Sequence, residues 1–163
     1  MRTADWLFVV SVALFISGIG FIIAGARTSH VTAGAPVDVP AATPVASIKQ
    51  IMNAIVLPDA TVIYNAVGST STAAGVVEVA PKDEREWAVV GNNAAALVES
   101  GNLLLVGPRL VDKGDWVKRT REFIDAAKAS LKAAESKDVA GILATGGDLN
   151  DTCDRCHEKY QRQ

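Results

Sequence analysis

The chain has 163 residues, 49% of them hydrophobic and 21% charged, with 16 Lys and Arg against 18 Asp and Glu. That length suits one domain with a short appendage, and six prolines with 13 glycines exclude a collagen-like or disordered chain. A net charge of −2 excludes an obvious nucleic-acid partner, because phosphate binding needs a basic face. Two cysteines are too few for a disulfide framework at this size, so they staple nothing or they do chemistry.

Residues 6–26 read WLFVVSVALFISGIGFIIAGA, with no charge and only Ser11 and Ser17 as polar side chains. As a helix the stretch would be about 31 Å long, matching the hydrocarbon core of a bilayer. Arg2 precedes it, so the positive-inside rule keeps the N-terminal tail cytoplasmic and sends everything after Arg27 across. The expectation is a single-pass anchor in the inner (cytoplasmic) membrane, residues 1–26, with the rest of the chain in the periplasm. A cleaved signal peptide is the alternative, since Ala24-Gly25-Ala26 fits a small-x-small cleavage site. Signal cores are shorter, about 7–15 apolar residues, which favours the anchor.

Residues 27–43 are small and proline-containing without a helical stripe, and read as a linker. The folded domain is expected over residues 44–163. Its first helix is expected to open at Thr43-Pro44, a capping residue and an N1 proline, with Val45, Ile48, Met52 and Ile55 on one face. Pro58 should break or kink it, with another short turn or two before Gly68. Residues 69–80 read as a polar loop, extended at most around Val76, Val77 and Val79, and no strand pairing is convincing.

The second helix opens after Pro81 with Lys82-Asp83-Glu84, carries Trp87, Val90, Ala94, Leu97 and Val98 inward, and should stop at Gly101. An apolar connection over 103–106 must pack on the domain. The third helix starts near Gly114-Asp115, with Trp116, Thr120, Phe123, Ile124, Ala127, Leu131 and Ala134 inward. The fourth runs from Asp138 almost to the C-terminus, with Gly146-Gly147 as a soft point. These elements predict an all-α fold: an antiparallel up-down-up-down four-helix bundle preceded by one transmembrane helix.

Cys153-Asp154-Arg155-Cys156-His157 is the C-x-x-C-H pattern of covalent haem attachment. On a helix Cys153, Cys156 and His157 stand at i, i+3 and i+4 and project from one side. Two thiols can add to two haem vinyl groups while the neighbouring imidazole ligates the iron, so metal binding through haem iron is expected. A thioredoxin-like C-x-x-C wants a preceding strand and a helix N-terminus, whereas this motif lies deep in a C-terminal helix. A zinc site wants four ligands, and the other histidine, His30, falls in the linker.

A helical chain ending in Cys153-x-x-Cys156-His157-x-x-Tyr160 resembles the class II c-type cytochromes, cytochrome c prime and its low-spin relatives. The resemblance covers residues 43–160 and implies one haem c held by Cys153 and Cys156 with His157 on the iron. In the family Arg often follows the tyrosine; here Gln161 stands there and Arg162 comes next. The family leaves the sixth iron position open behind an apolar side chain of the first helix, or fills it with a methionine from that helix. Met52 is the methionine so placed here, and ligation and plain packing are both open at this point. Lys49 is a distant second candidate. Leu149 and Tyr160, a helical turn to either side of the motif, are expected to flank the ring.

The first functional expectation is a membrane-tethered carrier of single electrons, meeting a redox partner protein or a membrane-bound electron-transfer complex. The alternatives are a five-coordinate binder of nitric oxide or carbon monoxide, and a haem subunit of a respiratory or photosynthetic complex. A homodimer is also open. No acid/base or nucleophile set converges, so an enzyme is not expected.

Overall fold

The structure, a computed structural model, describes residues 7, 9–15 and 42–161. The chain divides into two units, Met1–Ala41 and Ala42–Gln163. In the first, Leu7 and residues 9–15 are helical, while the remainder of the expected span and most of the linker lie outside the described residues. Among the described residues no helix is long and apolar enough to cross a membrane. The single-pass anchor is corrected on that finding, and the inner-membrane and periplasmic placement built on it goes with it.

In the second unit the first helical segment, α1, begins at Ile48 and not at Thr43-Pro44. Ser47 is its N-cap: the Ser47 hydroxyl accepts from Gln50 N–H at 3.2 Å, and the Gln50 side chain accepts from Ser47 N–H at 2.8 Å. Such a reciprocal pair satisfies two orphan donors at once, which a lone threonine cannot do. Val45 is therefore outside the helix and 94% exposed.

The segment α1 is α-helical over Ile48–Ile51, π-helical over Met52–Val56 and α-helical again over Leu57–Ala66. The expected break at Pro58 does not occur. A proline inside an α-helix lacks a donor and presses on the carbonyl four residues back. Here Leu57 N–H bonds back five residues to Met52 C=O, so the wider turn just before Pro58 makes room for the ring. The extra residue also rotates the inward face. The buried side chains become Ile51, Val56, Ala60 and Ile63, while Met52 and Ile55 are half-buried.

The all-α expectation fails at residues 68–79. Strand β1, Gly68–Thr72, pairs antiparallel with β2, Gly75–Val79, in the register Gly68 to Val79, Thr70 to Val77 and Thr72 to Gly75. The turn is held by Ala74 N–H donating to Thr72 Oγ1 at 3.2 Å and Thr72 Oγ1 donating to Gly75 C=O at 2.9 Å, with Gly75 at φ +126°. Both strands are exposed along their whole length, so no buried face imposes the alternation that marks a strand in sequence.

Helix α2, Glu84–Leu104, is capped by Asp83, whose side chain accepts from Glu86 N–H at 2.9 Å. It runs through Gly101, where a Cβ would overlap Ile124 of the next helix. That glycine permits close approach instead of ending the helix. A short 3-10 turn, Gly107–Arg109, follows, and its buried Arg109 donates to Ala46 C=O at 2.9 Å and Leu103 C=O at 3.2 Å. These bonds tie the approach to α1 to the end of α2. Helix α3 spans Asp115–Glu135, and α4 spans Val139–Tyr160 without interruption at Gly146-Gly147.

The helices pack in a ring: α1 against α2 and α4, α2 against α3, and α3 against α4. Ile51 and Ile63 of α1, Leu97 of α2 and Ile142 and Leu149 of α4 are at most 2% exposed, so the core runs through the centre of that ring. Burying such side chains contributes about 1.5–3 kcal/mol each relative to exposure. Gly101→Ala should lower stability by about 1–3 kcal/mol in urea unfolding, because Ile124 has to move. An unchanged midpoint would contradict the close α2–α3 contact.

Candidate cofactor site

Cys153, Cys156 and His157 lie in the last two turns of α4, with no residue between them that breaks the helical period. One turn further on, α4 ends at Tyr160, and Gln161 N–H closes the helix on His157 C=O at 2.9 Å. Facing this end of α4 is the first half of α1. Between them is a cleft of about 840 Å3, inside the range of about 300–1,000 Å3 usual for small-molecule and cofactor sites.

The α1 wall of the cleft is Ile48, Lys49, Met52, Val56 and Ala60, and the α4 wall is Asn150, Cys153, Asp154, His157 and Tyr160. Tyr64 of α1 and Trp116 of α3 also line it. The structure thus brings Cys153, His157, Met52 and Tyr160 to one space. Cys156 is half-buried beside Arg119 and Glu122 of α3, off the lining itself. Leu149 does not line the cleft: it is fully buried in the core.

Both cysteines are free thiols. Burial pushes each thiol above the ordinary cysteine value, so both are neutral near pH 7. Among the described residues no three His, Cys, Asp or Glu side chains converge to hold a metal ion. The expectation of metal binding is corrected to that extent: among the described residues the protein's own donors form no metal centre. What the cleft offers is one imidazole, one thioether, two neutral thiols and an apolar wall. That set fits a haem, which brings four nitrogens of its own and would take further ligands, and thioether links where thiols stand beside it, from the protein.

One cleft residue, and one that bonds to a cleft residue from outside the lining, escaped the sequence reading. Tyr64 lines the cleft together with Cys153, close enough that the thiol adds to burial in raising the phenol's pKa. It gives no motif signal, because its position toward α4 depends on the π-helical turn upstream. Asp112, in the connection before α3, takes three donors: Gly114 N–H at 2.8 Å and Trp116 N–H at 3.1 Å on Oδ1, and Tyr160 O–H at 2.6 Å on Oδ2. Its local half was readable, since Asp two residues before Gly is a turn signature. Its bond to Tyr160, 48 residues away, was not.

The Trp116 and Tyr160 rings meet edge to face, 5.0 Å between centroids at 90°, and the Trp116 indole N–H donates to Leu104 C=O at 3.0 Å. Lys159 Nζ donates to Asp115 Oδ2 at 2.6 Å. Arg119 pairs with Glu122 at 2.9 Å, and Arg155 of the motif approaches the same carboxylate at 3.9 Å.

Accepting the Tyr160 hydroxyl holds Asp112 below the usual carboxylate range, and Lys159 does the same for Asp115. Groups depressed on folding stabilise above their unfolded values, and the contribution is lost only as pH falls through the lower folded values. Tyr160 is raised by its bond to Asp112, and partial burial raises Tyr64 further. Their contributions hold below the ordinary tyrosine value and are lost as pH rises past it.

Comparison with protein-family models, with curated proteins and with solved structures finds no match to this chain.

Because the chain has two tyrosines and both line this cleft, alkaline absorbance at 295 nm reads the site directly. Both should ionise above the free value of about 10. A tyrosine ionising at or below that value would contradict the hydrogen-bonded arrangement.

Proposed function

We propose that the chain is a c-type haem protein that carries single electrons. The observation that carries the reading is the shared cleft: Cys153 and His157 of the C-x-x-C-H turn and Met52 of α1 line the same largely apolar space of about 840 Å3. Haem, when bound, supplies a reversible one-electron iron couple.

The chain's own residues supply the rest. Cys153 and Cys156 would hold the group through thioether bonds, each S–H adding across a haem vinyl group with its proton passing to the other vinyl carbon. His157 would ligate the iron through an imidazole nitrogen. Met52, from the α1 wall, would offer a soft thioether, and a His/Met pair would raise the potential into the electron-transfer range. Val56 and Ala60 keep that side apolar, which limits water at the cofactor. The resemblance to class II c-type cytochromes supports the same assignment through Cys153-x-x-Cys156-His157-x-x-Tyr160. Partner proteins would meet the exposed α1–α4 edge in small, electrostatically guided encounters.

Absorption spectra test the reading. The full chain, expressed with a c-type cytochrome maturation apparatus, should give a low-spin spectrum that carbon monoxide does not change. Met52→Ala should turn it high-spin and open to carbon monoxide. A wild-type protein that is already high-spin and takes up carbon monoxide would replace electron carriage by gas binding.

A further inference from the structure

We propose that Asp112 is a positioning residue for His157, acting through Tyr160; this rests on the haem reading above. The last turn of a helix ordinarily frays, because its final carbonyls lack partners. Here that turn carries the imidazole, and two side-chain bonds hold it from outside. Tyr160 O–H donates to Asp112 Oδ2 at 2.6 Å, and Lys159 Nζ donates to Asp115 Oδ2 at 2.6 Å.

Asp112 is itself fixed. Its other oxygen takes Gly114 N–H and Trp116 N–H, two of the unpaired donors at the start of α3. A carboxylate held at one oxygen by a helix start presents the other in a fixed direction. Tyr160 lies three residues after His157, on the same side of α4, and its ring is seated edge-on against Trp116 at 5.0 Å. Both rings line the cleft with His157. Rotation of this turn about the α4 axis would therefore break the phenol–carboxylate bond and move the imidazole together. Asp112 sets that rotation from a different part of the chain.

The inference separates from simple stabilisation because Tyr160→Phe removes only the hydroxyl and leaves the ring against Trp116. The experiment uses the full haem-loaded chain as wild type, Tyr160→Phe, Asp112→Ala and the double variant. Ferric electron paramagnetic resonance, midpoint potential and thermal midpoint are read for each. Tyr160→Phe and Asp112→Ala should shift the resonance positions and the potential in the same direction by the same amount, and the double variant should shift them no further. The thermal midpoint should fall more in Asp112→Ala, which also loses the α3 cap.

A Tyr160→Phe protein with wild-type resonances and potential overturns the inference, even if Asp112→Ala fails to fold. So do shifts that add in the double variant. A wild-type protein that never acquires haem overturns the haem reading and this inference together, whereas a loaded protein indifferent to Tyr160→Phe overturns the inference alone.

Discussion

Everything proposed for this protein depends on α4 remaining helical to its final turn. Two thiols and an imidazole at positions 153, 156 and 157 share one side of a helix only at 3.6 residues per turn. The uninterrupted run Val139–Tyr160, with Asp138 accepting from Gly141 N–H at 2.9 Å at its start, meets that constraint. At the other end the helix relies on partners outside itself. Asp112, in the connection before α3, and Asp115, the first residue of α3, grip Tyr160 and Lys159. The site and the helix end are therefore stabilised by the same few bonds.

The opposite wall has a different problem, a proline at position 58 inside a helix that has to stay continuous. The π-helical turn Met52–Val56 solves it and has a second consequence. The extra residue rotates the downstream half of α1, so that Ala60 and Ile63 enter the core and Tyr64 comes up against Cys153. π-helical turns occur often at functional sites, and this one begins at Met52, which lines the same cleft as His157.

Much of this was legible in the sequence where the signal is periodic or local. The inward stripe of α3, from Trp116 through Ala134, is buried as the 3.6-residue spacing requires, with Leu131 alone half-buried. The C-x-x-C-H turn sits on a helix as its spacing demands. The misreadings have more than one cause, some in distant contacts and some in local signals that were passed over. Gly101 looks like a stop until Ile124 is seen against it, and Thr43-Pro44 looks like a cap until Ser47 and Gln50 close on each other. The hairpin Gly68–Val79 buries neither face, so it leaves no alternation to read. The apolar stretch 6–26 gave the strongest single pattern, yet no membrane-crossing helix is found among the described residues. Tyr64 and Asp112 reach the site only through contacts between helices far apart in sequence.

No relative lends this chain a function, so the chemistry of one cleft carries the assignment. The most direct test is the intact mass of the full-length chain after unfolding in acid, from cells able to mature c-type cytochromes. The account requires the mass of one haem added to the polypeptide and lost when Cys153 and Cys156 are both replaced by alanine. A polypeptide of unmodified mass from such cells would contradict it.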